Sequence, residues 1–219
     1  MRDLPFLYED NHVLAVDKPA GMLSQGDLTG DLDVLTLAKE IIRQRDKKPG
    51  NVYLGLVHRL DRPVGGAMVI AKTSKAAGRL SKQFRERSTK KIYRAVVQGT
   101  PELSEANLQH RLYKDRARRV TRVVGPDKDG KDGELRYYVM ESRTGKSLVE
   151  VRLITGLPHQ IRAQLSAIGH PVLGDRKYGA QRPLPAGNIA LFSSSLTFIH
   201  PVKNEPMTIS AVPPDNWPW

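Results

Sequence analysis

The stretch that most restricts this chain is His58 to Lys72, HRLDRPVGGAMVIAK. Its second half, Ala67-Met68-Val69-Ile70-Ala71, is an unbroken apolar run that reads as a buried strand. Its first half places one carboxylate, Asp61, in a polar loop that turns at Arg62-Pro63 and passes Gly65-Gly66. A loop carrying an acid, backed by a rigid apolar strand, is an arrangement that holds a catalytic group in place. Alone, an Arg-x-Asp before proline is more often a turn with a surface ion pair, so the case for chemistry depends on the rest of the chain.

The 219 residues suffice for one large domain, and 39% hydrophobic content supports a real core. The absence of cysteine excludes disulfides, thiolate metal sites and cysteine nucleophiles. No apolar run reaches the roughly 20 residues of a membrane helix, and the N-terminus has no signal-peptide pattern. A soluble, cytoplasmic protein is expected, with no membrane partner. Thirty-five Lys and Arg against 23 Asp and Glu give a net charge of +12, which favours a polyanion, nucleic acid first.

The basic residues cluster. Lys72 to Arg94 contains nine of them with one acid, Glu86, and Arg111 to Arg122 contains six with one acid, Asp115. The first stretch predicts a helix from a Thr73 cap to about Arg87, with Ala76, Leu80 and Phe84 buried and Lys75, Arg79 and Lys82 on a different stripe. Tyr93 follows near the start of a strand, Ile92 to Gln98. The second stretch predicts a basic ribbon or loop, and Gly125 to Glu134 a polar turn.

Elsewhere, two strands flank a turn at Asp10-Asn11, and Asp17 to Met22 has the look of a loop beside a ligand or of a simple turn. A helix is expected over Val34 to Arg45, capped by Asp33 and stopped at Lys47 to Asn51, then a strand over Val52 to Val57. A hairpin is expected across Arg143 to Lys146, and a helix from His159 to about Ile168, where Ile161 and Leu165 anchor and Arg162 lies off the apolar face. Strands are expected over Gly187 to Phe192, Leu196 to Ile199 and Met207 to Val212, with both tryptophans in the tail as an end-cap.

Five segments in this order resemble the RluA-type pseudouridine synthases of the ribosomal large-subunit branch. Asn11 to Gly21 looks like the family's first motif, and His58-Arg59-Leu60-Asp61 like its catalytic one. Lys90 to Gly99 resembles the segment with the active-site tyrosine. Thr155 to Arg162, continuing through Gly169 to Asp175, resembles the arginine-bearing motif, and Leu196 to Pro201 the last. The resemblance implies an α+β catalytic fold: a long, bent, mixed and mainly antiparallel sheet with flanking helices and a central cleft. It implies one catalytic domain over 1–219, without a separate N-terminal RNA-binding domain.

It also implies isomerisation of uridine to pseudouridine in structured RNA, ribosomal or transfer, with no cofactor and no metal, by a monomer. Asp61 would act as nucleophile or base, and Arg162 would pair with it and keep it ionised. Tyr93 would stack on the target base, while Arg59 would enter the RNA where that base is flipped out. His58, Lys75, Arg79, Lys82, Arg116, Arg118 and Arg119 complete the expected RNA surface.

Two departures from the family pattern stand out. Where the family has Asp-x-x-Thr-Ser-Gly, this chain has Val64-Gly65-Gly66, which removes two hydroxyls, and Leu191 is followed by Phe192 where a histidine is usual. Slack around Asp61 would leave an RNA-binding or RNA-chaperone protein with a weakened site. A Ser at position 65 would be strained if Gly65 has positive φ.

Overall fold

The computed structural model describes residues 4–47 and 49–219. Lys48, part of the expected helix stop, lies outside the described residues. Two compact units interleave along the chain: the chain through Thr89 with Ser193–Pro213, and Lys90–Phe192 with Pro214–Trp219.

In the first unit, β1 (Phe6–Glu9) and β2 (Val13–Lys18) form an antiparallel pair. Asp10 makes the turn, its Oδ1 accepting from the His12 and Val13 amides at 2.7 and 2.8 Å. Helix α1 (Val34–Arg45) starts on Asp33, whose side chain accepts from Thr36 N, as the sequence predicts. The expected strand over 52–57 shrinks to β3 (Gly55–Leu56), and beyond its C-terminal end the His58 ring takes the next ladder position, its Nε2 accepting from Val69 N at 2.9 Å.

β4 (Gly65–Ala71) is buried at every position, with β2 antiparallel along it. Its burial on both faces accounts for the continuous apolar run. Gly66 is obligatory: at φ 114° a Cβ there would lie 2.3 Å from the Ser193 carbonyl oxygen. Thr73 caps α2 (Ser74–Arg85), two residues shorter than expected.

In the second unit, β5 (Lys90–Gln98), β9 (Lys146–Leu153), β8 (Lys131–Arg143), β6 (Glu105–Asp115) and β7 (Val120–Val124) pair antiparallel in that order. The basic ribbon is therefore the β6–β7 hairpin, with residues 116–119 at its tip. Helix α3 (Gln160–Ala167) lies on this sheet and is buried from Gln160 to Leu165. Two glutamines seat it on strand backbone: Gln160 Nε2 donates to Glu134 O at 3.0 Å, and Gln164 Nε2 to Leu108 O at 3.0 Å.

β10 (Leu191–Ile199) carries the chain back into the first unit, where it pairs with β11 (Pro206–Ser210). The expected strand over 187–190 is absent: Pro185–Gly187 forms a 3-10 turn with Ala186 in left-handed backbone. Trp219 ends against the β8–β9 turn, 4.3 Å from the Arg143 guanidinium carbon. The α+β class agrees with expectation.

Candidate active site

Asp61 is half-buried on the loop between β3 and β4. A carboxylate on a short side chain goes where its backbone goes, and here the flanking residues are clamped. On one side, the buried Ser24 hydroxyl donates to Leu60 O at 2.8 Å and accepts from Leu60 N at 3.1 Å. On the other, Arg62 O accepts from Gly21 N at 2.8 Å and from the Lys18 ammonium at 3.2 Å. Asp61 O closes a turn onto Val64 N at 3.0 Å.

Lys18 is fully buried. Its Nζ also donates to Met22 O at 2.6 Å and Pro19 O at 3.0 Å, so three carbonyls take the three donors of an ammonium. Burial pushes this lysine down to about 7, with the Asp61 charge acting in the opposite direction. The Arg62 side chain adds a tie to Gly21 O and an ion pair to Asp31 at 2.7 Å. The segment from Asp17 to Ser24 is thus the seat of the Asp61 loop.

The two lost hydroxyls are replaced differently. Val64 is 3% exposed and packs, while the left-handed backbone falls on Gly66 and not on Gly65. The condition that would strain a Ser at position 65 is therefore not met.

Tyr93 and Arg162 belong to the second unit. Tyr93 is half-buried on β5, opposite Val151, which is in turn opposite Tyr137. Arg162, on α3, is buried, against the commoner expectation for a helix arginine. Its Nε and one terminal amine form a bidentate clasp on Asp175 at 2.6 and 2.9 Å, and the Tyr178 ring lies under the guanidinium at 4.7 Å. Two of its five N–H groups make this clasp. Both partners sit in the segment around the 3-10 turn Arg176–Tyr178.

The expected RNA residues divide. Arg59, Lys75, Arg79, Lys82, Arg116, Arg118 and Arg119 are exposed. His58 is used within the fold, its face stacked on Phe84 at 4.6 Å and its Nε2 on Val69. Arg79 donates to Pro201 O, which ties α2 to the turn after β10. Lys18, Ser24, Asp175 and Tyr178 have no role assigned from sequence. Asp175 lies in a segment that resembles a family motif, and the Lys18-Pro19 pair ends a strand, but nothing local marks any of the four as buried.

Among the described residues no helix is long and apolar enough to cross a membrane, and no group of three His, Cys, Asp or Glu is placed to hold a metal ion.

Residues 12–167 match the family model for RNA pseudouridylate synthase. The chain is 36% identical over 216 residues to the dual-specificity RNA pseudouridine synthase RluA of Salmonella typhimurium, covering 97% of this chain and 94% of that one. It is 33% identical over 229 residues to the ribosomal large subunit pseudouridine synthase D of Zymomonas mobilis, covering 98% of this chain and 71% of that one. The human RNA pseudouridylate synthase domain containing 4 superposes with a TM-score of 0.80 at 23% identity, over 97% of this chain and 90% of that one, a likeness of fold.

Proposed function

The chain belongs to the RNA pseudouridylate synthase family, and from that premise we propose that it isomerises uridine to pseudouridine in large-subunit ribosomal RNA with Asp61 as the catalytic carboxylate. The reaction breaks the bond from the sugar to N1 of uracil, turns the base, and joins C5 to the same sugar carbon. The proton on C5 leaves and one is gained at N1. A carboxylate beside sugar and base serves as nucleophile or base. Arg162 pairs with it and keeps it ionised, Tyr93 stacks on the base, and Arg59 enters the RNA where the base is flipped out. The reading takes residues 1–219 as one catalytic domain.

The observation that carries this reading is the double clamp on Leu60 and Arg62, which holds the Asp61 backbone without the two family hydroxyls. It speaks against an RNA-binding protein with a weakened site. Lys75, Arg79, Lys82, Arg116, Arg118 and Arg119, all exposed, are the phosphate contacts of this reading. Replacing Arg116, Arg118 and Arg119 by alanine reduces the slope of log affinity against log salt by roughly two, at about 0.7–0.9 per contact.

The test uses unmodified transcripts of large-subunit ribosomal RNA, with transfer RNA as the second substrate class, and maps pseudouridine after incubation. The native protein yields pseudouridine at discrete positions. Asp61→Asn yields none and retains RNA affinity, because it removes the anion and keeps the shape. Turnover by Asp61→Asn near the native rate would overturn the assignment.

A further inference from the structure

The Tyr178 hydroxyl is a junction. It accepts from Thr121 N at 2.8 Å and lies 2.7 Å from His159 Nδ1. A phenol has one proton to give. The Thr121 amide donates to the phenol oxygen, and the contact to His159 Nδ1 is a hydrogen bond in which either atom can be the donor. Thr121 sits on β7, the second arm of the basic hairpin, and its own hydroxyl donates to Pro158 O at 2.8 Å, where the chain enters α3. The Tyr178 ring lies under Arg162, and its backbone is tied to the carboxylate segment through Tyr178 N to Asp175 O at 2.9 Å. Ser166 Oγ on α3 donates to Tyr178 O at 2.6 Å. One buried side chain therefore touches the hairpin, the start of α3 and the guanidinium.

Packing alone does not call for the hydroxyl. A phenylalanine would fill the cluster of Leu112, Ala163 and Tyr178 and stack on Arg162 as well. It would leave the Thr121 amide, on a residue 4% exposed, without this acceptor. The hydroxyl serves to join elements.

We propose that Tyr178 is a positioning residue that links the basic β6–β7 hairpin to Arg162, so that RNA seated on the hairpin holds the arginine in its working pose. The proposal rests on the reading of Arg162 as part of the catalytic site. RNA on Arg116, Arg118 and Arg119 at the hairpin tip stiffens β7. Thr121 passes that restraint to the phenol, and the ring passes it to the guanidinium, already clasped by Asp175.

The test is a cycle of single-turnover rates at saturating transcript of large-subunit ribosomal RNA. Tyr178→Phe slows the chemical step by about tenfold, within the range that small misplacements cause, and leaves RNA affinity unchanged. The variant with Arg116, Arg118 and Arg119 replaced by alanine loses affinity and also loses rate at saturation. In the Tyr178→Phe background the same triple change lowers affinity only. Rate losses that multiply, or a Tyr178→Phe rate equal to native, overturn the link. A second reading needs no change at position 178. On binding a uridine-free G–C RNA stem, the Arg162 Nε resonance of the native protein shifts and sharpens, and in the triple-alanine protein it does not. An unchanged native resonance overturns the proposal, whether or not Tyr178→Phe folds. Arg162→Met reports separately on the catalytic reading: if it turns over normally that reading fails, whereas a dead Arg162→Met with multiplying losses sinks only the link.

Discussion

The Asp61 loop and the Arg162 helix solve the same problem in opposite ways. Beside Asp61 a set of bonds fixes the flanking backbone: Ser24 holds Leu60, and Lys18 with Gly21 holds Arg62. Around Arg162 they go to the side chain itself, with Asp175 on two nitrogens and Tyr178 beneath. The difference follows from the length of the two groups. Aspartate has two rotatable side-chain bonds, so on a loop the uncertain part is the backbone. A helix fixes its backbone through its own hydrogen bonds, and the uncertain part is the long flexible stem of an arginine, which costs about 2 kcal/mol of rotamer freedom to still. In each region these contacts fall on the part that would otherwise move.

Asp175→Ala removes the clasp on Arg162 outright. Removing one partner of a buried pair costs about 3–5 kcal/mol, and the freed head group moves. Turnover falls more than about a hundredfold, and the thermal midpoint falls with it. If stability drops while single-turnover rate holds, the clasp is structural and the second half of the comparison fails.

Lys18→Met attacks the other region. It leaves three carbonyls without their donor and relaxes the loop around Asp61, with a rate loss of about tenfold to a hundredfold. The native protein adds a pH signature, since Lys18 stands near about 7 when folded against 10.5 as its ordinary value. Between those two pH values the unfolded chain still binds a proton that the folded protein has released. The Lys18 contribution to stability therefore rises with pH across the window. Turnover moves the other way, because a neutral amine has two N–H groups for three carbonyls. Denaturation and rate measured from pH 6 to 10 show the two trends diverging in the native protein and not in Lys18→Met. Parallel trends would remove Lys18 from the clamp.

Ser24→Ala is milder. The Leu60 amide and carbonyl lose one shared partner, at about 1–3 kcal/mol for the buried group left unsatisfied, and the rate falls about threefold to tenfold. Affinity for RNA does not change, because Ser24 is buried. A variant that binds RNA more weakly at native rate would assign Ser24 to the RNA surface instead.

Sequence reading succeeds where the determinant is local and fails where it is a distant backbone atom. The caps at Asp33 and Thr73 bond amides three residues on, and both helices begin where the sequence puts them. The reach of β6 back to Glu105 is not legible, because a polar stretch becomes strand only by pairing with β8. The 187–190 segment reads as apolar strand, but the prolines around it and the left-handed Ala186 bend the chain first. Asp61, Tyr93 and Arg162 are legible through motifs. Lys18 and Ser24 are not, since their partners at Arg62 and Leu60 lie 44 and 36 residues away, and a lysine is by default an exposed residue. Tyr178 hides as an ordinary core aromatic until Thr121 is seen to donate to it.

The backbone clamps at Leu60 and Arg62 make the missing hydroxyls after Asp61 dispensable. The direct measurement is single-turnover kinetics on a large-subunit ribosomal RNA transcript at saturation, native protein against the double change Val64→Thr, Gly65→Ser. Gly65 lies outside left-handed backbone, so the serine brings no φ strain of its own. The two rates agree within about threefold, close to the 0.6 kcal/mol of thermal energy that the loop explores anyway. A gain of about tenfold or more in the double variant would mean that the native loop is slack and that Lys18, Gly21 and Ser24 do not hold it.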